Sequence, residues 1–197
     1  FKWRLGNGKR NSAVSLILAT SKSKDALGRP EVWGDDRHNI ARDLVRDRSY
    51  QKAYKLASNH FIESGPIYAD LEWLSGYIAL RYFKKPQTAQ LHFERFMFAV
   101  DTPISLGRAY YWLARAFQDQ GQIEKAHNAF AEGAVYQTSF YGLLSAEEIS
   151  APFKYDFYPA KKLPSWRNAP FLKSNVFRAA ILLFASDQDV LGERFIT

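Results

Sequence analysis

The sequence predicts an all-α fold, a right-handed superhelix of helical hairpins (an α-solenoid). Three observations carry this. Apolar residues recur at three- and four-residue spacing along most of the chain. No alternating run of strand type interrupts them. Small residues on the second helix of successive pairs, Ala53, Ala89 and Ala126, lie 36 and 37 residues apart, the period of a stacked helix pair. Four positions later come Ala57, Phe93 and Phe130. Upstream, Tyr110, Leu113, Ala114 and Phe117 supply the large, apolar, small and aromatic residues of a tetratricopeptide-like first helix. Trp73, Gly76 and Leu80 approximate that pattern one unit earlier. Arg37, Ile40, Ala41 and Leu44 do so more weakly in the first unit. Small residues let two helices approach closely and large ones fill the groove beside them. Three such hairpins are therefore expected to stack.

Element by element, residues 1–34 hold a helix over 13–20 and then a polar loop. Residues 35–150 are the helical repeats. A helix over 35–45 carries Ile40, Ala41, Leu44 and Val45, and the acids Asp35 and Asp36 suit its first turn. A polar break at 47–49 precedes a helix with Tyr50, Ala53, Tyr54, Leu56 and Ala57. Residues 67–83 read as a long helix buried on more than one side, and 88–100 as its partner. Asp101-Thr102-Pro103 is a helix start, a capping side chain followed by proline at the first helical position. Gly121 ends that helix, 123–136 follows, and 138–149 opens behind another capping residue. Residues 151–170 hold four prolines among Phe153, Tyr155, Phe157, Tyr158 and Trp166, a connection expected to pack as an ordered strap. Residues 171–197 resume a helical hairpin, with Val176, Ala179, Ala180, Leu183 and Phe184 on one face.

The chain has 197 residues, 47% of them hydrophobic, enough to bury a core. It has no cysteine, which excludes a disulfide scaffold, a thiolate zinc site and a cysteine nucleophile. The net charge of +7 suits an acidic partner, yet the cations form no block of the nucleic-acid type, so no nucleic-acid partner is expected. No apolar run approaches a membrane span, so no transmembrane segment is expected. Phe1 at the start and a helical pattern running to Thr197 suggest a piece of a longer protein.

Sites of chemistry are scarce. No phosphate-loop, dinucleotide, zinc-protease or nucleophile-elbow pattern occurs. His38, His60, His92 and His127 read as lying on different helices without metal-ligand spacing, so no metal or cofactor is expected. Glu147-Glu148 reads as a solvated face, and Trp73, Trp112 and Phe140 as core.

One segment carries a sharper signal. The motifs at 68–76 (Tyr-Ala-Asp-Leu-Glu-Trp-Leu-Ser-Gly), 89–93 (Ala-Gln-Leu-His-Phe), 102–105 (Thr-Pro-Ile-Ser) and 108–116 (Arg-Ala-Tyr-Tyr-Trp-Leu-Ala-Arg-Ala) stand in this order. With Thr-Ser-Phe-Tyr-Gly at 138–142 they resemble the superhelical, non-catalytic region of the bacterial soluble lytic murein transglycosylases. The likeness covers about half of the chain well. It implies a periplasmic parent protein, free or attached to the outer membrane, that cleaves the MurNAc–GlcNAc bond of peptidoglycan as a carbon–oxygen lyase. In that family a single Glu in a separate lysozyme-like domain acts as acid and then base, within a Glu-Ser … Gly-Leu-Met-Gln signature. Here Glu63-Ser64-Gly65 is followed at once by Pro66, the only methionine is Met97, and no Gly-Leu-Met-Gln exists. Glu63 is therefore not expected to be catalytic, and the chain alone is expected to be inactive.

The resemblance thus implies a scaffold whose partners are peptidoglycan glycan strands and the catalytic domain of the same protein. Exposed rings can stack on sugars, and Arg or Lys can pair with muramyl-peptide carboxylates. Arg108, Tyr111, Arg115, Tyr141 and Lys154 are the candidate contacts, although each also suits helix packing or a solvated charge. A free-standing tetratricopeptide-like module that binds a protein or peptide is the alternative.

Overall fold

The computed structural model describes residues 1–153 and 165–196. The chain divides into two compact units, Phe1–Lys154 and Tyr155–Thr197. Among the described residues the fold is all-helical and contains no strand.

The first unit runs through α1 (Lys2–Gly6), α2 (Arg10–Thr20), α3 (Lys24–Leu27), a 3-10 turn (Pro30–Trp33), α4 (Gly34–Arg46), α5 (Tyr50–Ser58) and α6 (Pro66–Arg81). It continues with α7 (Pro86–Phe98), α8 (Pro103–Asp119), α9 (Ile123–Gly133) with a 3-10 turn at Ala134–Tyr136, and α10 (Phe140–Glu148). Local chemistry explains the boundaries. Proline opens α6, α7 and α8, where its missing N–H costs nothing. Thr102 caps α8 by accepting the Ser105 amide at 3.3 Å, and Gly121 adopts φ +71° just beyond its end.

Consecutive helices from α4 to α9 pack on each other, as the short connections require. In addition α4 touches α6, α6 touches α8, and α8 touches α10. These four helices therefore form a row of neighbours. The core follows the repeat read from the sequence: Ala53, Ala57, Ala89, Phe93, Ala126 and Phe130 are all buried. A Cβ on Gly76 would come within 2.6 Å of the Phe93 ring, so the glycine lets α6 and α7 close on that ring. Burying each such phenylalanine contributes roughly 2–3 kcal/mol.

Arg37, the large residue of the weakest repeat, is fully buried. Its Nη1 donates to the carbonyls of Leu56 (2.7 Å) and Asn59 (3.1 Å) at the end of α5, and its Nη2 donates to Ser21 Oγ (2.7 Å). A cation thus satisfies orphan carbonyls at a helix C-terminus. Burial pulls its pKa down to about 10.

The second unit contains 3-10 turns at Trp166–Asn168 and Pro170–Lys173, then α11 (Asn175–Ala185) and α12 (Asp189–Glu193). Ser174 caps α11, and the close approach of Gly192 to Phe184 joins the pair. Val176, Ile181 and Leu182 are exposed while Ala180 is buried.

Several expectations change. The polar loop before residue 34 contains α3, nucleated by Ser23, whose hydroxyl accepts the Ala26 amide at 3.1 Å. His60 lies in the connection after α5, outside any helix. The cap of α10 is Ser139 rather than Thr138. Phe140 is 68% exposed, not core, because it is the first residue of α10 and its ring projects beyond the packed turn. Residues 154–164, the centre of the proline-rich connection, lie outside the described residues.

Candidate functional site

The helices α6, α8 and α10 carry a continuous band of aromatic rings and arginines. On α6, Trp73 and Tyr77 are one turn apart and stack at 5.3 Å. Trp112 of α8 meets the edge of Tyr77 at 5.1 Å and Trp73 at 6.2 Å. Its chain neighbour Tyr111 packs at 5.4 Å from Tyr141 of α10, and Phe140 continues the row at 5.2 Å from Tyr141. The i,i+4 spacing on α6 and the contact of α6, α8 and α10 in sequence place six rings in one row. All but the exposed Phe140 are half-buried.

Two arginines of α8 frame this row. Arg108, one turn before Trp112, lays its guanidinium 4.6 Å from the Trp73 centroid and 4.8 Å from that of Phe96. It reaches Asp70 at 3.6 Å. Burial lowers its pKa, and Asp70 opposes that shift. Arg115 donates to Glu148 Oε1 at 2.9 Å, so one of the two acids read as a solvated face is instead tied to α8.

Two cavities flank the Arg108–Asp70 pair, which lines both. One, of 550 Å³, opens toward α4 and is lined by His38, Arg42, Arg46, Trp73 and Tyr77. Burial holds the His38 pKa below its ordinary value. The other, of 290 Å³, lies by the starts of α6 and α8, beside Phe96, Asp101 and Thr102. Arginine donors beside ring faces can hold hydroxyls, carboxylates and the C–H faces of sugars.

A separate polar network is buried behind the band. Glu72 Oε1 lies 3.1 Å from His60 Nε2, and Oε2 lies 2.6 Å from His92 Nδ1. The Ile62 amide donates to His60 Nδ1 at 2.9 Å, so that ring carries its proton on Nε2 and donates to Glu72. His92 Nε2 meets the Tyr54 hydroxyl at 3.0 Å. Burial pushes the Glu72 carboxyl up, but its interactions with His60 and His92 outweigh that and hold the pKa down at about 2. The network links α5, α6 and α7, and the exposed Arg95 of α7 reaches Glu72 Oε1 from the surface at 3.7 Å. Two members, Glu72 and His92, belong to the motifs at 68–76 and 89–93.

Glu63 has none of the surroundings of a general acid. Its side chain is 77% exposed and pairs with Lys24 at 2.5 Å. That hydrogen bond lowers its pKa, whereas a proton donor at neutral pH needs a raised one. Among the described residues no group of His, Asp and Glu is arranged to hold a metal ion. No helix is long and apolar enough to cross a membrane among those residues.

Of the sequence candidates, Arg108, Tyr111, Arg115 and Tyr141 meet on α8 and α10. Lys154 lies outside the described residues. Sequence reasoning missed Trp73, Tyr77 and Trp112 as members of the band, and His38, Arg42 and Arg46 beside it. The Trp73–Tyr77 spacing was the available signal. No family model matches the chain, and neither a curated protein nor a solved structure matches it.

Proposed function

We propose that this chain is a non-catalytic scaffold segment of a periplasmic peptidoglycan lytic transglycosylase, and that its hairpins stack as a right-handed superhelix whose aromatic row contacts glycan strands. The observation that carries the reading is the row of rings on α6, α8 and α10 flanked by Arg108 and Arg115. The ordered motifs from 68 to 142 support the same family. The helix-to-next-but-one contacts along α4, α6, α8 and α10 support stacked hairpins. In this reading the parent's lysozyme-like domain supplies the acid, and the scaffold positions it and the glycan.

The test is co-sedimentation of the full chain with purified sacculi. The Tyr111→Ala/Tyr141→Ala variant is expected to bind about ten-fold more weakly, since an aromatic contact contributes about 0.5–1.5 kcal/mol beyond its area. The same assay should release no anhydro-muropeptides, with or without Glu63→Gln. Absence of sacculus binding, or wild-type binding by the double variant, refutes the role of the row. Capture of a defined peptide with no affinity for sacculi favours the free-standing peptide-binding module.

A further inference from the structure

A group of cations with no acid among them in sequence lies at one edge of the first unit, next to the Tyr77 end of the aromatic row, where Tyr77 and Tyr82 meet at 5.9 Å. No acidic residue occurs between Asp47 and Glu63 or between Glu72 and Glu94, while these stretches contain Arg48, Lys52, Lys55, Arg81, Lys84 and Lys85. The fold brings the two stretches together. Two adjoining cavities, of 400 and 540 Å³, share Gln51, Tyr82 and Phe83. Arg48 and Lys52 line the first, Lys55 and Lys85 the second, and no carboxylate lines either. Among the described residues none of these four cations makes an ion pair or a side-chain hydrogen bond.

The floor beneath these cations is firm. Tyr50 of α5 stacks on Tyr82 with centroids 3.8 Å apart, and Tyr54 meets the edge of Phe83 at 5.4 Å. These two contacts pin the turn between α6 and α7 to α5. Clustered like charges repel one another, so an anionic surface laid against them relieves the repulsion.

We propose that this edge binds the headgroup phosphates of an anionic phospholipid bilayer. Three of the four lining cations are lysines, mobile point charges suited to phosphates in no fixed geometry. A site for one soluble phosphate ligand holds its donors in place through neighbouring groups, and none does so here. Headgroups in a fluid leaflet move to the cations instead. The partly exposed Tyr82 is a side chain suited to the membrane–water boundary. A single-stranded nucleic acid would stack its bases on open ring faces, yet Tyr50 and Tyr82 already cover one another. The inference does not depend on the proposed function.

The test is co-sedimentation of the full chain with vesicles of phosphatidylcholine, with and without phosphatidylglycerol. Binding should require phosphatidylglycerol at about 20 mM salt and weaken strongly by about 150 mM. Each charge removed should cost about five-fold in affinity, so Lys52→Gln/Lys55→Gln/Lys85→Gln should weaken binding roughly one hundred-fold. The charge-matched control Lys22→Gln/Arg29→Gln/Arg178→Gln should stay within about three-fold of wild type. All six side chains are exposed, so both variants should retain the fold. Three results would overturn the proposal: no binding to phosphatidylglycerol vesicles, an equal loss in the control variant, or duplex DNA binding through the same three lysines with vesicles left unbound.

Discussion

Replacing Glu72 with glutamine removes the carboxylate that two buried imidazoles share. The wild-type group is 3% exposed, and its pKa falls from an ordinary 4.5 to about 2 on folding. Burial disfavours the carboxylate, so its partners, His60 and His92 foremost, produce the depression, and Arg95 stands 3.7 Å from Oε1. That difference corresponds to about 3 kcal/mol of stability at neutral pH. Because the folded pKa is the lower one, the contribution is fully present above about pH 4.5 and fades as pH falls toward 2. In the Gln variant the amide oxygen can accept from His60, while His92 must switch tautomer so that Nδ1 accepts the amide NH2 and Nε2 donates to the Tyr54 hydroxyl. The charge-assisted hydrogen bonds become neutral ones, which are about half as strong. Urea unfolding followed by tryptophan fluorescence at pH 7 should show Glu72→Gln about 3 kcal/mol less stable than wild type. Repeated at stepwise lower pH, the difference should shrink from about pH 4.5 downward. A variant within about 0.5 kcal/mol of wild type at pH 7, or a gap that does not narrow in acid, refutes the account of this network.

Gly142→Ala should lower stability by about 3 kcal/mol in thermal unfolding, because its Cβ would lie 1.9 Å from the Tyr136 carbonyl oxygen and the backbone must move. Gly121→Ala, at φ +71° but in open space, should cost only about 1 kcal/mol in the same assay. Arg37→Met should lower the urea midpoint by an amount equal to about 2–4 kcal/mol, since the end of α5 loses its charged donors. Arg115→Gln, which opens a partly exposed pair with Glu148, should change stability by less than about 1 kcal/mol.

The helices were legible because their signals are local. Pro103 behind its capping residue marks a helix start wherever the chain goes, and the spacing of Ala53, Ala89 and Ala126 reports positions where helices must come close. Short elements were harder. Ser23 caps a helix of only four residues, too brief for any periodicity to develop. Phe140 read as core because it is large and apolar, yet a residue at the first position of a helix has little of the packed turn beneath it.

The candidate site divides in the same way. Arg108, Tyr111, Arg115 and Tyr141 were visible as residue types suited to a sugar polymer. Their grouping depended on which helix lies beside which. His60, Glu72 and His92 are separated by 12 and 20 residues, and nothing in their spacing marks them as partners. The four cations that line the basic edge, Arg48, Lys52, Lys55 and Lys85, lie in two stretches about one repeat apart. The sequence by itself determined the helices, their period and the residues that line their close approaches, since backbone preference and apolar spacing act within a few residues. Only the tertiary structure decided which rings touch, which carboxylate meets which imidazole and which cations lack a counter-charge. Those contacts arise when one hairpin packs on the next, and they depend on angle and depth that no local signal encodes.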